Sequence, residues 1–199
     1  MDQFVISLVE AGGYWGIFFL MVLENVFPPI PSELIMGLGG VFVARGRMEF
    51  WPLLAVGTAG TVVGNYVWYY AGDRLGYERL RPFVDRWGRW LTLEWDEIEK
   101  ASEFFRKHGQ WVVFAMRFSP FLRTIISLPA GLTHMPKWRF VLFTTAGSAI
   151  WNVLLIMGGQ LLGQKLDHAE QIIGWLTIAS VVVLAVWYLW RVIRWTPKS

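Results

Sequence analysis

Four ionisable side chains stand in stretches otherwise apolar enough for a bilayer: Glu24 and Glu33 in segment 24–44, and Arg117 and Arg123 in segment 110–132. A charge at bilayer depth costs from about 3 to more than 10 kcal/mol, so it persists only when paired or lining a water-filled cavity. Residues of these types could do two kinds of chemistry. A guanidinium is a fixed positive fork with several donors, well matched to a phosphate. Arg117 and Arg123 flank Pro120, and backbone N–H groups freed at such a break would add donors for the same anion. A partly buried carboxyl group can take up and release a proton during turnover. Glu24, Glu33, Arg117 and Arg123 are therefore the candidate substrate-binding residues, with Glu24 and Glu33 also the candidates for proton coupling. Two plainer readings stay open. The arginines could serve only to neutralise the glutamates, or the two glutamates could lie near the interface and titrate as they do in water.

The rest of the sequence offers little competing chemistry. There are no cysteines, which excludes disulfides, thiolate catalysis and Cys-ligated metals. No H-E-x-x-H, G-x-S-x-G or P-loop pattern occurs, so the chain is not expected to be an enzyme, and no metal or cofactor is expected. His108 and His134 fall in expected loops and receive no role. The net charge of +3 comes from basic residues interleaved with acids, so a nucleic-acid partner is not expected.

Composition fixes the environment. Of 199 residues 55% are hydrophobic and 17% are charged, against about 25% charged in ordinary soluble domains. A soluble domain this apolar would expose large sticky patches. Trp15, Trp51, Trp111, Trp138, Trp175, Trp190 and Trp195 lie near the ends of apolar runs, as in an interfacial aromatic belt. The N-terminus lacks the basic start of a cleavable signal peptide, so an uncleaved first helix is expected to serve for targeting.

The elements that must position the four charges follow from the hydrophobic pattern, and all are helical. A single transmembrane domain, 1–199, is expected. It comprises an N-terminal helix (1–23), a re-entrant hairpin (24–44) and a spanning helix (50–72). An amphipathic surface connector (73–109) precedes a second re-entrant hairpin (110–132) and spanning helices at 138–163 and 172–190. Pro28, Pro29 and Pro31 in the first hairpin, and Pro120, Pro129 and Gly131 in the second, are the expected breaks, because proline cannot continue a regular helix. Each leg of about 10 residues would reach the midplane.

Sliding the sequence against itself by 87 positions aligns Trp51 with Trp138, Thr58-Ala59-Gly60 with Thr145-Ala146-Gly147, Asn65 with Asn152, and Gly72 with Gly159. With a surface connector between two such units, the spanning helices run in opposite directions and the units form an inverted repeat. Broken helices meeting at the midplane of an inverted repeat are a transporter architecture. Non-helical backbone at that depth must face protein or a water-filled cavity. The basic tail, Lys137, Arg139 and segment 73–109 fall on one side, which the positive-inside rule makes cytoplasmic; Arg45 and Arg47 fall outside, against the rule.

From about Glu24 to Gly163 the chain resembles the DedA family, also called the SNARE-associated or VTT-domain family. The resemblance rests on Glu24…Pro28-Pro29-Ile30-Pro31-Ser32-Glu33 and on Phe114-Ala115-Met116-Arg117-Phe118-Ser119-Pro120-Phe121-Leu122-Arg123-Thr124. Pro129-Ala130-Gly131 and Gly60…Gly64…Tyr69…Gly72-Asp73 add to it. It departs at Met116, where the family often has glycine before the first arginine; the bulkier side chain would narrow the hairpin. The resemblance implies a multi-pass bacterial inner-membrane protein that flips a phosphate-bearing lipid, undecaprenyl phosphate or phosphatidylethanolamine, in dependence on the proton gradient. It implies that the positions of Glu24, Glu33, Arg117 and Arg123 are functional. The expected partners are this lipid, protons and the bilayer, with homo-oligomerisation left open. A proton-coupled ion or drug antiporter and a passive lipid scramblase remain the alternatives.

Overall fold

The computed structural model describes residues 2–26, 32–91, 95–119, 123, 126–165 and six positions between 175 and 190. The described residues contain helices and no strand. Helix α1 is Asp2–Val26, α2 is Ser32–Ala44, α3 is Phe50–Leu91, α4 is Trp95–His108, α5 is Trp111–Met116, α6 is Ser127–Leu132 and α7 is Lys137–Lys165. Among them α7 alone is long and apolar enough by length and composition to cross a membrane. The 13 residues of α2 reach about 20 Å, short of the roughly 30 Å of a hydrocarbon core. Trp175, Ala179, Val182, Val183, Val186 and Trp190 are helical and exposed; the rest of 172–190 and the basic tail lie outside the described residues.

Pro28, Pro29, Pro31 and Pro120 also lie outside the described residues. Pro129 and Gly131 do not interrupt a helix. Both sit inside α6, which is buried from Ser127 to Leu132. Pro129 occupies the first turn, where the missing N–H is not needed. Gly131 instead allows α6 to touch α3: a Cβ there would overlap the Tyr69 carbonyl oxygen.

Two helices change direction at glycines with positive φ. Gly13 (φ 54°) kinks α1, and Gly76 (φ 61°) kinks α3. Neither has another group nearby that would exclude a side chain, so conformation rather than space calls for glycine. Helix α3 does not end at Gly72: it kinks at Gly76 and continues through the polar stretch to Leu91. Helix α1 likewise runs to Val26, past the expected end at residue 23, and carries Glu24 in its last turn. The last turn of α4 holds Arg106, Lys107 and His108, favourable at a helix C-terminus, and Gly109 (φ 64°) ends it. Phe105 anchors α4 on the bundle, in contact with the cluster that includes Val112, Val113 and Ile126.

Two apolar clusters hold the bundle together. One gathers Ile17, Leu20 and Met21 of α1, Leu34 to Phe42 of α2, Leu53 of α3 and Ile156 of α7. The other gathers Tyr69 of α3, Phe105, Val112, Val113, Ile126, Ala130, Met135 and Phe140. Along α3, buried Thr58, Thr61 and Asn65 lie between the clusters; along α7, Thr144, Ser148 and Asn152 do. Thr58 bonds Asn152 at 3.2 Å, and Tyr69 stacks on Phe140 at 4.4 Å between ring centroids. As α3 advances from 58 to 69, its neighbour on α7 retreats from 152 to 140. The two helices run antiparallel.

Between the two apolar clusters the interior is polar, while the outer surface of the helices carries large exposed apolar side chains. Leu142, Ile150, Leu154, Met157 and Leu161 of α7 are exposed while Thr144, Ser148 and Asn152 are buried. Trp15, Trp51, Trp111, Trp138, Trp175 and Trp190 are all exposed. This is the surface of a membrane protein, where lipid covers apolar side chains. Lipid tails are as apolar as Leu, so helices associate there through close packing rather than water exclusion. Glycine provides that closeness. A Cβ on Gly60 would overlap the Phe18 carbonyl of α1, and one on Gly147 would crowd the Phe114 carbonyl and Arg117 at the end of α5. One on Gly72 would overlap the Leu128 carbonyl of α6, and one on Gly159 would overlap the Gly37 carbonyl of α2.

Candidate anion and proton site

The polar layer between the clusters contains three of the four candidate charges in direct contact, with the fourth behind them. Glu24, in the last turn of α1, is 3% exposed. Its Oε1 accepts a hydrogen bond from Nη2 of Arg123 in a buried ion pair. Its Oε2 accepts from Asn25 Nδ2 at 2.5 Å. Arg123 Nη1 donates to Ser32 Oγ at 2.5 Å and lies 3.8 Å from Glu33 Oε1. Glu33 opens α2, where a negative charge suits the helix dipole. Its side chain is 36% exposed and the bridge is long, so Arg123 belongs chiefly to Glu24. Arg123 Nε and Glu33 Oε1 are buried atoms without a hydrogen-bond partner. The pair thus has both an unused donor and an unused acceptor at its edge.

Arg117 is held differently. It follows α5, is 1% exposed, and is the largest fully buried side chain described. Nη1 donates to Asn65 Oδ1 at 2.6 Å and to the Arg123 carbonyl. Nη2 donates to Thr144 Oγ1 at 2.9 Å and to Ser127 Oγ at 3.2 Å. The guanidinium carbon lies 5.7 Å from the Phe140 ring centroid. Among the described residues no carboxylate reaches Arg117: every partner is neutral. Removing a cation from water without a counter-charge costs several kcal/mol, which neutral donors and acceptors repay only in part. Arg123 is paired with a carboxylate, and Arg117 is seated among neutral dipoles behind it.

Asn25, Ser32, Asn65, Ser127 and Thr144 complete the site and were not among the sequence candidates. Asn65 was visible only as a repeat marker. The others are neutral residues that hydropathy does not single out. Outside this layer, His134 (φ 51°) lies 2.8 Å from Asp73, three residues before the Gly76 kink of α3, and is exposed. No cluster of three or more His, Asp or Glu that could hold a metal ion occurs among the described residues.

Residues 30–161 match the family model of the VTT domain. A protein of Lactococcus lactis subsp. cremoris named alkaline phosphatase-like protein is 38% identical over 94% of this chain and 86% of its own length. Undecaprenyl phosphate transporter A of Staphylococcus aureus is 32% identical over 95% of this chain and 97% of its own length. The Bacillus subtilis protein of that name is 34% identical over 89% and 87% respectively. No solved structure matches. Two of these relatives are thus named as transporters and one as alkaline phosphatase-like. With the family model spanning most of the chain and several relatives aligned over nearly its whole length, the chain belongs to the VTT-domain, or DedA, family of bacterial membrane proteins.

Proposed function

We propose that this protein moves a phosphate-bearing lipid between leaflets, undecaprenyl phosphate being the first candidate, with a proton exchanged at Glu24. The observation that carries the reading is the buried guanidinium of Arg117, without a carboxylate partner among the described residues, next to the Glu24–Arg123 pair. Two acids and two arginines leave the layer neutral. A phosphate entering it adds negative charge, which a site shielded from water tolerates poorly unless a proton enters too. Protonation of Glu24 supplies that compensation. It also frees Arg123, whose fork can then grip phosphate oxygens in place of the carboxylate. Glu33, half-exposed at 3.8 Å, is placed to assist at the mouth. Two relatives named as undecaprenyl phosphate transporters support the choice of lipid.

The inverted-repeat, re-entrant reading of the fold is part of the same proposal. It is supported by the antiparallel course of α3 and α7, and by glycines 87 positions apart in equivalent contacts. Gly60 receives α1 and Gly147 the end of α5, in each case the second helix before its own. Gly72 and Gly159 each receive a segment from the opposite half. The short α2, too short to span, would be one leg of the first hairpin.

Purified protein in liposomes should move fluorescent undecaprenyl phosphate faster with a proton gradient than without it, with phosphatidylethanolamine as the comparison lipid. Arg117→Ala and Arg123→Ala should each lose at least about tenfold in rate, the loss of one charge-assisted contact. Wild-type rates in both variants would remove the phosphate site. Movement indifferent to the gradient would leave a passive scramblase.

A further inference from the structure

Glu24 and Arg117 do not touch, yet an unbroken chain of side-chain amides joins them. Asn25 Nδ2 donates to Glu24 Oε2 at 2.5 Å. Asn65 Nδ2 donates to Asn25 Oδ1 at 2.6 Å. Asn65 Oδ1 then accepts from Arg117 Nη1 at 2.6 Å. Arg117 donates to the Arg123 carbonyl, and Arg123 returns to Glu24, which closes the ring.

Asn65 is fully buried, and all four of its hydrogen-bonding capacities are used. Its second amide hydrogen goes to the Thr61 carbonyl at 2.9 Å, and its oxygen also accepts from Ser127 Oγ at 2.9 Å. This fixes which way the amide points. Arg117 can only donate, so the oxygen must face it; Thr61 offers a carbonyl, so the NH2 must face α3 and Asn25. The side chain thus has direction as well as place. On the other side, Trp68 Nε1 donates to the Asn25 carbonyl at 3.1 Å and holds the end of α1 against α3.

We propose that Asn65 is a positioning residue that links the state of the Glu24–Arg123 pair to the placement of Arg117, through the chain Glu24–Asn25–Asn65–Arg117. The inference rests on the lipid-transport reading and names how its two halves communicate. While Glu24 is ionised, Asn25 donates to it, and Asn65 holds Arg117 in its neutral seat. When Glu24 takes a proton and leaves Arg123, it ceases to be a strong acceptor for Asn25. The ring opens at that point: Asn25 stays on the Met21 carbonyl, but the tie that runs through Asn65 to Arg117 is no longer anchored on a carboxylate just as an anion arrives. The charged groups facing Glu24 are Glu33 from α2 and Arg123; Asn65 and Trp68 are what α3 brings to that end of α1, and Arg117 is reached only through the amides.

The test uses Asn65→Leu, which keeps similar bulk and removes every bond, and Asn25→Ala, which cuts the chain one link earlier and leaves each bond of Arg117 in place. Two pH profiles are read for the full chain: transport of fluorescent undecaprenyl phosphate in liposomes, and the thermal midpoint in detergent. In Asn25→Ala both profiles should move to higher pH by about one unit, the scale of one hydrogen bond lost from an ionised carboxylate. Asn65→Leu should move them in the same direction. A merely structural residue would lower rate and thermal midpoint while leaving both profiles in place, and that result overturns the proposal. If Asn65→Leu does not fold, Asn65→Ser takes its place, and a shift confined to Asn25→Ala, which loses its own bond to Glu24, overturns the relay. A wild type that moves no lipid would sink the transport reading, while the thermal profiles would still judge the relay.

Discussion

Arg123 and Arg117 are both buried and basic, but their removal should do different things. Arg123→Ala would strand Glu24 at 3% exposure without its counter-charge. We expect a loss of about 3–5 kcal/mol in unfolding followed in mild detergent, with most of it recovered when Glu24→Gln is added. Recovery of none would mean that the pair is not coupled as the geometry implies. Glu33→Gln should stay within about 1 kcal/mol of wild type, because its bridge is long and its side chain is part-exposed. The charged quartet was legible in the sequence because a charge in an apolar run is costly and so conspicuous. Asn25, Ser32, Asn65, Ser127 and Thr144 were not, because neutral polar residues occur on many helices. Their partners lie as far as 91 positions away, as Ser32 does from Arg123, and only the folded chain brings them together.

At the level of the elements, glycine spacing was readable but glycine function was not. Gly72 was taken as the end of the spanning helix, yet it is an ordinary helical residue that lets α6 approach; Gly76, four residues on, has the positive φ and makes the kink. A sequence shows where side chains are missing, not whether the backbone or a neighbour requires it. The two causes predict different variants. Gly131→Ala and Gly159→Ala would force a methyl group into a facing backbone, and should cost about 1–3 kcal/mol. Gly76→Ala has open space around it and should cost about 1 kcal/mol, from conformation alone. Gly158→Ala, one residue from Gly159 on the same helix with nothing nearby, should be neutral or slightly stabilising, since alanine favours helix. Thermal unfolding of the four variants in one detergent would rank them, and equal losses at Gly158 and Gly159 would contradict the packing of α2 on α7.

For the whole molecule, the decisive property is that α3 and α7 pass the polar layer in opposite directions. Trp51 begins the spanning part of α3 and Trp138 begins α7, and both are exposed. On the proposed inverted-repeat reading the starting ends of these antiparallel helices lie at opposite faces of the membrane, and the two tryptophans would mark opposite interfaces. The chain contains no cysteine, so single cysteines can be introduced without first removing native ones. In intact cells, Trp51→Cys should react with a membrane-impermeant maleimide added outside, and Trp138→Cys should react only once the membrane is opened. The assignment of sides follows from Lys137 and Arg139, which flank Trp138 and favour the cytoplasm. The reverse pattern would invert the orientation but keep the architecture. Labelling of both from one side would mean that the helices enter the membrane from the same face. The inverted repeat would then fail, and with it the transporter architecture that the proposed function draws on.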